Sequence, residues 1–428
     1  MIARVVEDVW RRESSHVLAA LLHRYGDLGD CEDAAQEAAE AAARQWDRDG
    51  VPGNPRGWLI RVASRRLVDR VRADGARMAR ENALGAALPA DAHLSPTADR
   101  SSRDEADDTL RLLLLCCHPS LSRSSQVALT LYAVGGLSTA QIAAAYLVPE
   151  RTMTQRLTRA RSTLRAAGAV FGLPACADLP ARIAAVLDVC HLMFTEGHTS
   201  STGDGLVDSP LAEEAIRLTR QLHAVVPDHD EVAGALALML LTHARVAART
   251  ENGDLVPLAE QDRSRWDRQQ IAEGVRILER VLPRGHVGRF QLQAAIAAVH
   301  AEAESWEATD WLQITVLYAM LARVAPGPVV TLNQAVALGM AFGPEHGLAL
   351  LGPLLGNPAM RRHHRTHAVH AHLLEMLGDL PGALESYRQA ARLTASQPEQ
   401  RYLNARIRRL TAGRASPSTP LWSARESR

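Results

Sequence analysis

Lysine is absent from this chain, and aromatic residues are scarce. All 48 basic residues are therefore arginine, and 48 acidic residues balance them to a formal net charge of 0. A role in nucleic-acid binding would have to depend on local arginine clusters, because the chain as a whole is not basic. Hydrophobic residues make up 47% of the sequence and aromatic residues 4%, which favours helices built from Ala and Leu.

Cysteine is also rare, with five residues at positions 31, 116, 117, 176 and 190 and no CxxC pair. This odd, scattered set supports neither a disulfide framework nor a zinc ribbon, so we expect a reducing, cytoplasmic environment. Acids and arginines interrupt the first residues, unlike a secretory signal. Apolar runs such as LLLLCC (112–117) are far shorter than the ~20 residues that span a bilayer, so we expect no membrane association.

Breaks in helical periodicity divide the chain, which at 428 residues is longer than one hydrophobic core usually supports. Residues 81–108 contain seven acids against two arginines, a net of −5, and lack periodicity. We predict an all-α protein with a helical domain at 1–80, an acidic flexible linker at 81–107, a helix-turn-helix domain at 108–172, an α-solenoid or tetratricopeptide-like extension at 173–411, and a disordered tail at 412–428.

The extension carries an internal repeat. In LGDLPGALESYRQAARL (377–393), the spacing of a tetratricopeptide repeat is carried by Gly378, Ala383, Tyr387 and Ala390. Gly343 lies thirty-five residues before Gly378, close to the ~34-residue period of that repeat. AEEAIRLTRQLHAVVP (212–227) is a weaker third match.

A helix-turn-helix is predicted from LSTAQIAAAYLVPERTMTQRLTRARSTLR (137–165). Ser138 and Gln141 form a capping box, in which the hydroxyl caps a backbone N–H and the amide reaches back. The first helix should end near Tyr146, and Pro149 should begin the second helix at its first position.

The second of these helices has two different faces. Its apolar face comprises Met153, Leu157, Ala160 and Leu164. The other side presents Arg151, Gln155 and Arg159, with Thr154, Thr158, Arg161 and Arg165 beside them. Arg pairs bidentately with guanine and Gln with adenine, so this side suits the major groove. A solvated arginine face on a structural helix is the alternative.

The first domain contains an acidic helix and then a basic one. CEDAAQEAAEAAARQW (31–46) carries the acids, and eight arginines against two Asp give 56–80 a net of +6. A basic helix with a nearby aromatic residue can follow a phosphate backbone and hold exposed bases. Trp58 is either such a base-stacking platform or a core anchor.

Together these stretches resemble the sigma-70 family of bacterial transcription initiation factors, in its small extracytoplasmic-function (ECF) subgroup. DCEDAAQEA resembles the family's DAEDxxQE helix, NPRGWLIRVASRRLVDRVR its xxxWLxxIAxNxxxDxxR helix, and residues 137–165 its region 4.2. The resemblance covers roughly 1–170, with region 2 at about 5–80 and region 4 at about 108–168.

The resemblance implies a role for each matching position. Core polymerase, through the clamp helices of its largest subunit, would contact Asp33, Gln36 and Glu37, and its flap region is a further expected contact. The −10 element would be bound by Trp58, Arg61, Arg65, Arg66, Asp69 and Arg72. The −35 element would be read by Arg151, Thr152, Thr154, Gln155, Arg156 and Arg159. Arg65 stands where the family usually has Asn, so this residue could contact phosphate instead of a base.

The extension resembles that of a sigma subgroup with a long tetratricopeptide-like C-terminal region, in FTEGHTSS (194–201), LVPLAEQDRSRWDR (255–268) and QLQAAIAAVHAEA (291–303). Repeat solenoids offer concave surfaces that suit peptides or proteins. We therefore expect the extension to regulate or assist initiation in cis, under a protein or small-molecule regulator, with no cofactor and no catalysis.

Three features allow other interpretations. His363, His367 and His370 share one helix face that could hold a metal, although a packed or solvated face is favoured, and we assign no metal site. Cys116 and Cys117 fit an apolar core helix. Trp266 lies in AEQDRSRWDR, where alternating charges indicate surface pairing and otherwise a ligand or self-docking patch.

Two other functions compete with a sigma factor. A helix-turn-helix regulator with a ligand-sensing helical domain would have no use for the acidic helix or the acidic linker, and binding to core polymerase discriminates the two. An enzymatic extension would need a nucleophile–base pair, which the sequence does not suggest.

Overall fold

The computed structural model describes residues 2–81, 102–146, 148–175, 177–198, 209–251, 253–285 and 287–413. In chain order its α-helices are α1 Ile2–Tyr25, α2 Leu28–Asp49, α3 Pro55–Glu81, α4 Ser102–Cys116, α5 Arg123–Ala133, α6 Thr139–Ala145, α7 Glu150–Ala166, α8 Leu179–His198, α9 Ser209–Val225, α10 Asp230–His243, α11 Arg268–Val281, α12 Arg289–Glu302, α13 Trp311–Val324, α14 Pro328–Phe342, α15 Pro344–Gly356, α16 His364–Leu377, α17 Leu380–Leu393 and α18 Gln397–Gly413. Strands in these ranges are limited to β1 Thr250–Glu251 and β2 Asp254–Leu255, an antiparallel pair with Thr250 opposite Leu255. The predicted all-α class is confirmed.

The chain forms two compact units. The first unit contains residues 1–194 and 213–227, and the second contains 195–212 and 228–428. The predicted boundary after residue 172 lies between α7 and α8, so the first unit continues past it. The third repeat match, in α9, also falls largely in the first unit.

The first unit is built from two groups of helices. In the first group, α1, α2 and α3 pack on one another around Leu21, Trp46 and Leu59, each at most 2% exposed. In the second, α5 and α6 pack on α7. Helix α4 packs on both α1 and α5, so it connects the two groups.

Helix α8 is fastened to the second group by two arginines. Arg182 donates to the carbonyl oxygen of Leu114 at 2.6 Å, and Arg123 pairs with Asp188 at 2.5 Å. From α9, Arg217 donates to the carbonyl oxygen of Val134 at 3.2 Å. Cleaving the chain at residue 172 would therefore remove contacts that belong to the first unit.

Helix α4 begins at Ser102, inside the segment predicted as linker, so residues 102–107 are helical rather than aperiodic. The remainder of the predicted linker, 82–101, lies outside the described residues, as does the predicted tail from 414 onward.

The second unit stacks consecutive antiparallel helices, with close pairs α14–α15 and α16–α17. The predicted repeat positions match these pairs, because Ala383, Tyr387 and Ala390 are at most 3% exposed. Gly378 ends α16 with φ 87°, in the left-handed conformation that glycine adopts without strain.

One described stretch, Asp230–Ala248, is long and apolar enough to cross a membrane, and 72% of its apolar window is buried inside the protein. Helix α10 has buried residues on all sides, which is typical of the central helix of a packed domain.

Candidate nucleic-acid interface

The predicted capping box begins α6. Ser138 Oγ accepts the backbone N–H of Gln141 at 3.2 Å, and Gln141 Oε1 accepts the backbone N–H of Ser138 at 2.8 Å. The next helix begins one residue later than predicted, since Pro149 is the N-cap of α7 with φ −59° and ψ 140°. The two helices and their turn form a helix-turn-helix.

Helix α7 has the two faces that its periodicity predicts. Met153, Leu157, Ala160 and Leu164 are buried at 3% exposure or less. The predicted −35-reading side chains are exposed at Arg151, Thr152, Thr154, Gln155 and Arg159 and half-buried at Arg156. The Thr154 hydroxyl donates to the carbonyl oxygen of Glu150 at 3.0 Å, so it can offer only an acceptor to an incoming base.

The end of α7 contacts α2, a feature that the sequence did not reveal. Arg165 makes a bidentate pair with Asp27, with both N–O distances at 2.8 Å. The Arg165 guanidinium holds the pKa of Asp27 below its ordinary value. Arg161 Nε lies 2.5 Å from Glu32 Oε2. Two arginines expected beside the DNA-facing side therefore hold α7 against the first helical group.

Glu32 is the buried member of this contact. It is 3% exposed, and burial raises its pKa to about 7, although Arg161 opposes the shift. Its Oε1 is buried without a hydrogen-bond partner among the described residues. Burial therefore favours the protonated form of Glu32, whereas the charge of Arg161 favours the carboxylate.

The side chains predicted to bind polymerase are already occupied on α2. The hydroxyl of Tyr132 donates a hydrogen bond to Gln36 Oε1, with 2.7 Å between the two oxygens. Arg70 Nη2 donates a hydrogen bond to Glu37 Oε1 at 2.7 Å. Arg70 Nη1 also lies 3.8 Å from Asp33 Oδ2. A partner that binds this face of α2 would have to replace these contacts with its own.

The predicted −10 residues line α3. Arg61, Arg65, Arg66, Asp69 and Arg72 are exposed. Arg66 Nε lies 3.6 Å from Glu37, so this residue is held by α2. Trp58 is half-buried and packs edge-on against Trp46, with ring centroids 5.4 Å apart. Its exposed part can still meet a base.

A cavity of about 350 Å³ lies where α1 and α2 meet α5 and the start of α6. Trp10, Glu32, Tyr132 and Gln141 are among its lining residues. The contact of α2 with α5 and α7 therefore combines a few polar pairs with a void, unlike a close-packed core, while α4 packs directly on α1.

The remaining candidates have structural roles. Cys116 and Cys117 are fully buried, as predicted. His367 Nε2 bonds the carbonyl oxygen of Arg361 at 2.9 Å, and His370 Nδ1 bonds Ser386 Oγ at 2.9 Å, so the histidine face is packed. Across the described ranges, no three His, Cys, Asp or Glu side chains are placed to hold a metal. Trp266 is 2% exposed, whereas the charged residues Asp262, Arg265, Asp267 and Arg268 around it are exposed, and their surface pairing stays a prediction.

Three known families match the chain in the order that the resemblance implies. Sigma-70 region 2 matches residues 9–77, and sigma-70 region 4 matches residues 111–164. A family of unknown function, DUF6596, matches residues 182–282. The third match covers the start of the helical extension.

Individual proteins are similar over the same parts. An uncharacterized protein of Rhizobium meliloti (strain 1021) is 40% identical over 404 residues, 92% of this chain and 93% of that protein. The probable ECF RNA polymerase sigma factor SigI of Mycobacterium tuberculosis is 31% identical over 156 residues, 36% of this chain and 53% of SigI. The ECF RNA polymerase sigma factor SigK of Mycobacterium ulcerans (strain Agy99) is 32% identical over 155 residues, 36% of this chain and 74% of SigK. No solved structure matches the chain.

Proposed function

The chain belongs to the ECF group of the sigma-70 family of RNA polymerase sigma factors, and from this premise we propose how its own residues bind polymerase and promoter. In this proposal α2 binds the clamp helices of core polymerase, α3 holds the −10 element and α7 reads the −35 element. The protein initiates transcription and carries out no chemistry itself. Like its family, it would act in the cytoplasm.

The two-faced helix α7 is the observation that carries the proposal. Four apolar side chains fix one face in the core, which leaves Arg151, Gln155 and Arg159 on the exposed side. Long donors on a capped, rigidly packed helix can reach base edges in the major groove. The Thr154 hydroxyl, which bonds within the helix, would act as an acceptor only.

On α3, exposed arginines next to a half-buried tryptophan support −10 binding. Arg61, Arg65 and Arg72 would contact the backbone of the opened strand. The exposed edge of Trp58 would meet an unstacked base, while its packing on Trp46 keeps the ring in place. Trp58 can then both stack on a nucleotide base and pack against the core.

The contact between α7 and α2 supports a closed form of the free protein. With Arg161 on Glu32 and Arg165 on Asp27, region 4 lies beside the side chains assigned to polymerase. Binding to polymerase would open this contact. The helical extension would then regulate or assist initiation in cis, starting from α8, which is bonded to region 4.

Run-off transcription with bacterial core polymerase and the full chain tests the function. We expect transcripts from specific genomic promoters, and their loss in Arg151→Ala combined with Arg159→Ala. Arg276→Ala is the control, because Arg276 is an exposed arginine on α11. If the chain neither starts transcripts nor binds core polymerase, a ligand-sensing helix-turn-helix regulator replaces the sigma role.

A further inference from the structure

A group of two arginines and one histidine lies inside the second unit. Arg245 follows α10, Arg263 begins the 3-10 turn Arg263–Arg265, and His300 lies in the last turn of α12. The turn at Arg245 is joined to the segment of Arg263, because the Asp267 N–H donates to the carbonyl oxygen of Ala244 at 2.9 Å. Burial, Arg245 and Arg263 lower the pKa of His300 to about 4. Chain segments that are distant in sequence therefore bring like charges together.

Arg263 is fixed in place by its neighbours. It is 9% exposed, and its guanidinium stacks 4.6 Å from the ring centroid of Trp266. Its Nη1 donates to the carbonyl oxygens of His300 at 2.8 Å and Ala303 at 2.6 Å. Its Nη2 is buried and has no partner among the described residues. The Nη2 atom of this fixed guanidinium can therefore still donate to a ligand.

Arg245 has no such anchors. Its side chain makes no hydrogen bond or ion pair with any residue in the described ranges, and its Nε is buried. Burial and the charge of Arg263 lower its pKa to about 10, with no acidic residue contributing. Arg245 as a whole is half-buried, and a guanidinium nitrogen that is buried without a hydrogen-bond partner is costly.

Two neutral donors extend the group. The indole Nε1 of Trp266 and the Nδ1 of His300 are also buried without a partner among the described residues. Single buried polar atoms without a partner occur elsewhere in this structure, but here four atoms that can donate lie in one positively charged group. Such atoms normally have partners in folded proteins.

We propose that this group binds a small oxyanion, a ligand with a carboxylate or phosphate group, through Arg245, Arg263 and Trp266. Planar guanidinium groups match the oxygen spacing of both anions and form charge-assisted hydrogen bonds with them. The anion would supply a counter-charge to Arg245, whereas the carboxylate of Glu307 already acts on Arg263. Arg249 adds further positive charge, since it acts electrostatically on His198, as Arg245 does. The site goes beyond the sigma role and does not depend on it.

Thermal melting and calorimetric titration of the full chain test the proposal. The probes are inorganic phosphate and citrate, each compared with sodium chloride at the same ionic strength. We expect saturable stabilisation by at least one of the oxyanions, since a ligand that binds only the folded state raises its melting temperature. The oxyanion that binds more tightly indicates whether the ligand carries a phosphate or a carboxylate group.

Arg245→Met distinguishes a ligand site from a structural arginine. Because Arg245 has no described protein partner, the variant should melt at the same or a higher temperature without ligand. It should bind the anion about tenfold more weakly or not at all. Arg276→Met, at an exposed arginine on α11, should behave like the unmodified chain in both measurements.

Four results would overturn the site. They are the absence of saturable binding by either oxyanion, equal binding by Arg245→Met, equal stabilisation by chloride, and a lower melting temperature of Arg245→Met without ligand. The last would mean that Arg245 holds the fold. None of these results depends on transcription, so the sigma role stands or falls separately.

Discussion

At the scale of single residues, Glu32 has the most unusual environment on the candidate interface. Its side chain is 1% exposed and meets Arg161 at 2.5 Å. Burial favours the protonated carboxyl and Arg161 favours the carboxylate, and burial prevails, with a pKa of about 7. Protonation of Glu32 therefore changes the contact between region 2 and region 4 near neutral pH.

The sign of the pH effect follows from this raised pKa. Between about 4.5 and about 7 the folded protein holds a proton that the unfolded chain has released. Stability from Glu32 is thus fully present below pH 4.5 and is lost as pH rises through 7. The loss is at most about 3 kcal/mol. We expect hydrogen exchange of α2, corrected for intrinsic rates, to show weaker protection at pH 8 than at pH 5.

Glu32→Gln removes the titrating group and should remove most of this pH dependence. The matched control is Glu40→Gln, on the same helix but without the buried environment of Glu32. If Glu32→Gln and the unmodified chain lose protection equally between pH 5 and pH 8, the proton is held elsewhere.

The roles of the two ends of α7 differ in how far the sequence predicts them. The exposure of Arg151 and Arg159 follows from local periodicity, because a helix alternates its faces within a few residues. The partner of Arg161 is separated from it by 129 positions, and no local pattern encodes such a pairing. The pairing of Arg161 with Glu32 is therefore revealed by the folded structure and not by the sequence.

At the scale of helices, α7 should divide its DNA contacts between bases and backbone. If Arg151 or Arg159 pairs with a base, changing that arginine to Ala should cost the protein about 1–3 kcal/mol of discrimination between base pairs at one −35 position. Binding of the complex with core polymerase to promoters substituted one base pair at a time measures this. An equal loss on all sequences would make the arginine a phosphate contact.

The capping box gives α6 its own prediction. Ser138→Ala removes the acceptor of the Gln141 N–H and should destabilise the helix-turn-helix by about 1 kcal/mol. Hydrogen exchange of α6 measures the loss. Ser162→Ala, at an exposed position of α7, should have little effect. Unchanged protection in Ser138→Ala would mean that packing on α7 alone holds α6.

Local signals also explain where the elements were predicted well and where they were not. The capping box and the buried face of α7 depend on neighbouring residues, and both are as predicted. Pro149 caps α7 from outside the helix, because the extended backbone at ψ 140° precedes the first helical residue. Residues 102–107, rich in Asp and Glu, are helical because α4 continues directly into the buried leucines at 112–115.

At the scale of the whole molecule, the boundary after residue 172 shows what composition alone misses. GLPACADLP (172–180) is a genuine break between helices, yet α8 returns to the first unit through Arg182 and Asp188. A loop rich in Pro and Gly predicts the end of a helix. It does not predict which core the next helix joins.

The closed contact between α7 and α2 yields the last prediction. Arg165 is largely exposed and pairs only at the surface with Asp27, so Arg165→Glu should weaken closure without disturbing the core. An exposed pair contributes up to about 1 kcal/mol, and we expect affinity for core polymerase, without DNA, to rise about two- to fivefold. Energy transfer between dyes at Arg48→Cys and Ser162→Cys should fall in the same variant.

Arg276→Glu carries the same charge change at an exposed site of the second unit and should alter neither measurement. The described native cysteines are buried, which limits unwanted labelling. Lower energy transfer with unchanged core affinity would mean that region 4 does not restrict access to α2. Unchanged transfer would mean that the remaining contacts, among them Arg161 with Glu32 and Tyr132 with Gln36, hold region 4 without Arg165. A joint change in both would make closure of region 4 on region 2 a competitor of polymerase, since the same face of α2 cannot serve both at once.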